Sequence, residues 1–423
     1  MSEPYGSGVP QLLALQPRHR LDLRWRDLAH GLVGLGTRDR ETCARRALGG
    51  TGHPDDGLVA ASVRSGWLLL LETMRWSAGS EVLVSCVTHP EMAALVGAVG
   101  LRAVPVEVDL DTLLPTPEGL DAAVTPRTRA VLVAQLFGAR ADLAPLADWC
   151  RARGLLLVED AAQAYAGPGS LGSPADVTMV SFGLLKTATA VGGAVLRVAD
   201  PALLDAMATR AEDWPVQTRR AYALRLLRAA LLLGLARRPA YGAFMGACRV
   251  LGRDPDVVLD ALSRPRCRAE GLVTRLRRRP CTSLLALLAR RLDTRDPSTD
   301  RLRRRAAAGE RLRAGLPPGS VPGDRAHLRT HWLFPVRAGE PRRLVERLRA
   351  AGVDASGATS NLVALTTTGP AADLLDHVVY VPAYPELPEP VLEEVERVLL
   401  AETAGPGCRS RSRRRTCTWP SAR

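Results

Sequence analysis

Between residues 60 and 200, short apolar runs alternate with amphipathic ones, and this alternation constrains the fold more than any other property of the chain. Glu81–Ser85, Leu101–Val108, Ala130–Gln135, Leu155–Glu159, Val177–Phe182 and Gly193–Val198 read as strands. Trp67–Met74, Glu91–Val99, Pro117–Val124 and Leu143–Arg153 read as intervening helices. The strand candidates are apolar at successive positions, which suits strands buried on both faces. The expected class is therefore α/β, with a mostly parallel central sheet covered by helices. Residues 203 to 315 are rich in Leu, Ala and Arg and read as largely helical, with breaks at Pro215, Pro239, Pro255 and Pro280. An α+β portion follows, with strands at Trp332–Val336 and Val378–Val381 and helices at Pro341–Ala351 and Pro388–Leu400. The expected organisation is an N-terminal segment (1–60), a large α/β domain (61–205) and a helical insertion with connecting helices (206–315). A small α+β C-terminal domain (316–403) and a disordered basic tail (404–423) complete it.

Composition excludes several other classes. Hydrophobic residues are 46% and charged residues 24% of 423, which implies a packed core. No apolar run approaches the roughly 20 residues of a membrane span. The N-terminus lacks the basic-then-apolar layout of a signal peptide, so a cytoplasmic location is expected. The eight cysteines form no Cys-x-x-Cys pair and no His stands at zinc spacing, so reduced thiols and no metal site are expected. The net charge is +13, and six of those charges are arginines of the tail after Gly407. No aromatic residues interleave with them, so no nucleic-acid partner is expected.

The chain contains one lysine. Of 57 basic residues 56 are arginine, so arginine serves wherever a positive charge suffices. A guanidinium stays protonated, whereas a lysine amine can lose its proton and attack a carbonyl. Lys186 is therefore a candidate for covalent chemistry. Asp160 stands just past the carboxyl end of a strand candidate, 26 residues before the lysine, Ser181 precedes the lysine by five, and Gly192-Gly193 follows it. An acid, a hydroxyl and a lysine at neighbouring strand ends suit pyridoxal phosphate: the acid keeps the pyridine nitrogen protonated, the hydroxyl meets the phosphate and the amine binds the aldehyde.

The segments Val158-Glu159-Asp160-Ala161-Ala162-Gln163-Ala164, Ser181-Phe182-Gly183-Leu184-Leu185-Lys186 and Gly192-Gly193-Ala194-Val195 resemble the DegT/StrS-type sugar aminotransferases, which are fold-type-I pyridoxal-phosphate enzymes. Flanking matches at Glu81–Val84, Thr88-His89, Leu136-Phe137-Gly138 and Val381–Leu387 occur in the same order. The resemblance implies that Lys186 holds the cofactor as a Schiff base and shuttles protons, and that Asp160 pairs with the pyridine nitrogen. It also implies that Gln163 lies against the ring near its hydroxyl, Ser181 binds the phosphate and His89 stacks on the ring. Ser65-Gly66 would begin a phosphate-binding helix turn, with Trp67 where the family usually has threonine, so that a hydroxyl contact is lost.

The implied partners are a small-molecule amino donor, a carbonyl acceptor such as a keto-sugar, and a second copy of the chain in a homodimer. The Arg- and Leu-rich stretch 214–240 is expected to cover the main domain, the other reading being a helix on a membrane surface. A lyase or desulfurase chemistry on the same cofactor, and a non-catalytic protein retaining the fold, are the rival readings.

Overall fold

A computed structural model describes residues 15–36, 39–263, 271–293, 295–357 and 361–403. The basic tail, 404–423, lies outside these residues. The centre is a seven-stranded sheet of β1 (Gly57–Ala60), β2 (Glu81–Ser85), β3 (Arg102–Val106), β4 (Thr128–Ala134), β5 (Leu156–Asp160), β6 (Val177–Ser181) and β7 (Ala194–Val198), in the spatial order β1-β7-β6-β5-β4-β2-β3. The neighbours from β3 through β6 pair in parallel, and β7 runs antiparallel to both β6 and β1. Val82, Leu83 and Val84 of β2 are fully buried, as are Val131 and Val133 of β4. Burial on both faces explains why these strands read as continuous apolar runs.

Helices cover both faces. Val63–Met74 and Pro90–Ala98 share one cluster with the sheet, while Pro117–Ala123 and Ala144–Arg151 close the other face. The first of these packs unusually close, since a Cβ on Gly66 would stand 2.7 Å from a Leu196 methyl. Any larger residue there would force the Leu196 side chain to shift.

The Arg- and Leu-rich stretch is helical at Pro201–Glu212, Arg219–Leu235, Arg238–Val250, Pro255–Ser263, Leu272–Leu276, Thr282–Leu292 and Ser298–Ala314. Pro239 and Pro255 stand at helix starts, where a missing N–H costs nothing. The Arg219–Leu235 helix buries Tyr222, Leu226 and Ala229, and the Tyr222 hydroxyl donates to the Ala190 carbonyl at 2.8 Å. It is thus a cover over the segment following Lys186, with Leu224, Leu227 and Leu231 left exposed. No helix among the described residues is long and apolar enough to cross a membrane. Beyond residue 315 a separate cluster forms around the antiparallel pair Phe334–Arg337 and Val378–Val381, packed by Pro341–Ala350 and Glu389–Thr403.

A buried arginine ties the N-terminal segment to this frame. The Arg291 guanidinium is 1% exposed and pairs with Asp22, Asp27 and Asp296. It also donates to the carbonyls of Asp22 and Thr189. Removing one partner of a buried ion network leaves uncompensated charge, at a cost of about 3–5 kcal/mol. Arg291→Leu is expected to lose stability on that scale in urea unfolding. An unchanged midpoint would show the network to be dispensable.

Candidate active site

Because β1, β2, β4, β5 and β6 point the same way, their carboxyl ends share one edge. The chain leaves β2 toward β3 on one side, then returns to β4 on the other. This reversal opens a crevice at that edge between β2 and β4, where open α/β sheets bind ligands. Around it stand His89 just beyond β2, the Gln135–Gly138 turn after β4, Asp160 ending β5 and Ser181 ending β6. The helix start at Ser62 follows β1.

Alternation along β5 sends Glu159 and Asp160 to opposite faces. Glu159 is consumed by structure, accepting from Arg140 at 2.7 Å, Gln135 at 3.2 Å and Thr178 at 3.0 Å. Asp160 accepts the Ala162 N–H at 3.0 Å and is 7% exposed. Burial pushes its carboxyl up to about 6, against the pull of the Ala162 N–H and the positive charges of Lys186 and Arg64.

Lys186 lies in the turn after β6, its backbone N–H bonded to the Gly183 carbonyl at 2.9 Å. Its ammonium nitrogen sits 3.6 Å from the centroid of the Trp332 ring. Trp332 comes from the C-terminal part, and its indole N–H donates to the Leu185 carbonyl at 2.8 Å. Gly138 makes this approach possible. It has φ +93°, and a Cβ there would stand 2.5 Å from the Trp332 amide nitrogen. The preceding Phe137, at φ +60°, donates its N–H to the Gln163 side-chain oxygen at 2.8 Å. Gln163 therefore fixes the turn against which Trp332 rests. Ala188 and Val191, beyond the lysine, also hold positive φ, a costly conformation for residues with a Cβ. Asp22 accepts the Ala188 N–H at 2.7 Å and steadies this loop.

The remaining sequence candidates divide. The Ser181 hydroxyl oxygen accepts the Gly183 N–H at 3.3 Å. His89 caps the Pro90–Ala98 helix, its Nδ1 accepting the Glu91 N–H at 3.2 Å, which requires an unprotonated Nδ1. The expected helix start at Ser65-Gly66 is corrected: the helix begins at Val63 with Ser62 as N-cap. Ser62 Oγ accepts the Ser65 N–H at 3.1 Å, and the Gly66 N–H is already bonded to the Ser62 carbonyl at 2.9 Å. Gly66 and Trp67 turn toward the sheet, and the fully buried Trp67 indole donates to the Met92 carbonyl at 3.0 Å. Neither offers a group to the crevice. The first-turn amides are those of Val63 and Arg64.

Arg64 and Trp332 were not among the sequence candidates. Arg64 pairs with Glu91 and is felt by Asp160. Its position one residue inside a helix that follows a strand, two residues beyond Ser62, was the available signal. Trp332 carried none, being 146 residues from the lysine it covers. Among the described residues no group of three or more His, Cys, Asp or Glu is arranged to hold a metal.

Comparison with known proteins places this geometry. Residues 52–215 match the model of the DegT/DnrJ/EryC1/StrS aminotransferase family. A dTDP-4-dehydro-2,3,6-trideoxy-D-glucose 4-aminotransferase of Saccharopolyspora spinosa is 30% identical over 178 residues, 41% of this chain and 46% of the relative. An L-glutamine:2-deoxy-scyllo-inosose aminotransferase of Streptomyces kanamyceticus is 36% identical over 152 residues, 34% of each chain. The matched part thus spans less than half the length of these relatives. The fold extends further. The sugar aminotransferase CalS13 from Micromonospora echinospora superposes with a TM-score of 0.62 at 23% identity, covering 91% of this chain and 99% of that one. The aminotransferase TlmJ from Streptoalloteichus hindustanus gives 0.60 at 22%, covering 92% and 98%. The α/β architecture with its mostly parallel sheet is therefore that of these aminotransferases. The segment that matches the DegT/DnrJ/EryC1/StrS family model, residues 52–215, holds the whole seven-stranded sheet and the crevice at its edge.

Proposed function

We propose that this chain is a pyridoxal-phosphate-dependent aminotransferase that moves an amino group from an amino-acid donor to a keto or aldehyde acceptor, the acceptor class being a keto-sugar or nucleotide-linked sugar. One observation carries the reading: the only lysine of the chain and a buried carboxylate lie at the crevice of the sheet edge. The acceptor class rests on two relatives, one named for a dTDP-linked dehydro-sugar and one for 2-deoxy-scyllo-inosose.

The donor set suits the cofactor, having an acid for its nitrogen, an amine for its aldehyde, and amides with a guanidinium for its phosphate. When bound, pyridoxal phosphate supplies an electron sink for the charge left when a donor C–H bond breaks. Asp160, as a carboxylate, would keep the proton on the pyridine nitrogen. The Gln163 oxygen is engaged by Phe137, which leaves its NH₂ to meet the ring hydroxyl. The His89 imidazole, held by its capping bond, would offer a flat face to the ring. Ser181 and the first-turn amides of Val63 and Arg64 would take the phosphate, with the Arg64 guanidinium adding charge.

Lys186 Nζ would carry a proton to and from the donor carbon. Between these events the ammonium can rest on Trp332, a cation–π contact worth roughly 0.5–2 kcal/mol. We further propose a cytoplasmic homodimer, with the exposed Leu224, Leu227 and Leu231 stripe available to a second copy.

Lys186→Arg tests the central claim. The variant should melt cooperatively yet show no turnover and no visible cofactor band, because a guanidinium cannot form the covalent link. In the wild type, borohydride should fix the cofactor on the peptide containing Lys186. Label on no peptide would end this reading. Conversion of the bound cofactor to its aminated form by glutamate separates an aminotransferase from a lyase.

The raised Asp160 carboxyl makes a second test. A carboxylate whose folded value lies above the ordinary 3.8 destabilises the cofactor-free fold above pH 6. That cost disappears as pH falls toward 4. Cofactor-free Asp160→Asn should therefore exceed the wild type in stability by up to about 3 kcal/mol at pH 8, with the gap closing near pH 4. Its turnover should fall steeply. Equal stability at both pH values would remove the burial argument.

Arg64→Gln should weaken pyridoxal phosphate binding by roughly ten- to hundredfold, from the loss of a charged hydrogen bond. Pyridoxal, which lacks the phosphate, should bind both proteins alike. A parallel loss for both ligands would place Arg64 elsewhere in the site.

A further inference from the structure

Outside the residues assigned above, a cavity of about 350 Å³ opens between the N-terminal segment, the Arg219–Leu235 helix and the start of the Ser298–Ala314 helix. Its wall carries six arginines, at 20, 24, 237, 291, 301 and 304, and two carboxylates. Both carboxylates are engaged. Asp22 accepts from Arg291 and from the Ala188 N–H, and Glu386 accepts from Arg301 at 2.8 and 3.1 Å. Arg304 meets only Asp300, in an exposed pair of the kind that contributes little. Arg24 binds Asp27 and Asp296 through Nε and Nη2, while its Nη1 and the Nε of Arg20 are buried without a hydrogen-bond acceptor. A buried donor without an acceptor is costly and rarely tolerated, so these groups point to a missing acceptor.

The backbone adds to this positive field. Three helices begin at the cavity: Trp25–Val33, Arg238–Val250 and Ser298–Ala314. Their N-cap residues are Arg24, Arg237 and Pro297; Asp27 accepts the Arg24 N–H at 3.0 Å and Asp296 the Ser298 N–H at 2.9 Å, which leaves the Arg238–Val250 helix as the start without a side-chain capping bond. Ser, Thr, Asp or Asn normally stands there, because an oxygen is favoured at the positive end of the helix dipole. Two of the three positions hold a cation instead. Guanidiniums and helix N-termini together favour a multi-oxygen anion, with phosphate matching the arginine fork. The volume lies at the low end of small-ligand cavities, roughly 300–1,000 Å³.

We infer that this cavity binds a compact phosphate-bearing metabolite, at a site separate from that of the cofactor's phosphate. Through Asp22 the ligand would sit one hydrogen bond from Ala188, two residues beyond the lysine.

The test is titration calorimetry in chloride buffer on the cofactor-loaded full-length protein, with inorganic pyrophosphate and glucose 1-phosphate as probes. Saturable one-to-one binding of either probe is expected, weakened at least tenfold in Arg237→Gln/Arg304→Gln and unchanged in Arg64→Gln. Both substituted side chains are exposed, and a melt identical to the wild type verifies folding of the double variant. Tighter binding of glucose 1-phosphate assigns the site to phosphorylated sugars, and tighter pyrophosphate to free diphosphate. Lys186→Arg should retain the site, so its occupancy is read independently of the cofactor chemistry. Absence of binding by both probes, or equal affinity in the double variant, overturns the inference.

Discussion

The cationic side chain of Arg291 ties together parts of the chain that lie far apart in sequence and share one apolar cluster. Asp22 and Asp27 of the N-terminal segment and Asp296 just before the Ser298–Ala314 helix converge on it, as does the backbone of the loop after Lys186. Without that cation, Asp27 and Asp296 would keep only Arg24 and Arg290 as counter-charges, and Asp22 would lose its ion pair. With it, Asp22 is free to turn its second oxygen to the Ala188 N–H. The strained backbone at Ala188 and Val191 is thereby held from a rigid anchor, and the position of Lys186 inherits that rigidity.

The same economy of residue types runs through the chain. Arg18 joins Asp354 and Asp256. Arg305 is fully enclosed, where burial pulls its guanidinium down to about 10, and it bonds the Thr330 carbonyl and the Thr187 hydroxyl beside the lysine. Planar, multiply donating and almost always charged, arginine suits such fixed roles. Lysine is kept for one position, at the crevice of the sheet edge.

Asp160 illustrates the cost of that site. A carboxyl raised to about 6 by burial lacks a full counter-charge in the cofactor-free fold. A protonated pyridine nitrogen beside it would provide one. Under the proposed function, the burial that raises this carboxyl would also strengthen its pairing with that nitrogen. The cavity lined by arginines shows the opposite imbalance, with six cations on its wall and two carboxylates.

Local chemistry in the sequence was sufficient for the strands, because runs such as Val82–Val84 can be buried on both faces only inside a covered sheet. It was also sufficient to single out Lys186, since no other residue in 56 basic positions can do amine chemistry, and to set Asp160 at the end of a strand. The phase of the helix that follows β1 was beyond it. Ser65-Gly66 looks like a helix start, but Gly66 is needed against Leu196 and Trp67 in the core, so the cap falls to Ser62 and the crevice receives Arg64. Trp332, Asp22 and Arg291 could not be read locally either. They reach the lysine loop from 146, 164 and 105 residues away in the chain. Which distant side chain fills a given space depends on how whole layers pack, and short-range propensity carries no record of that choice.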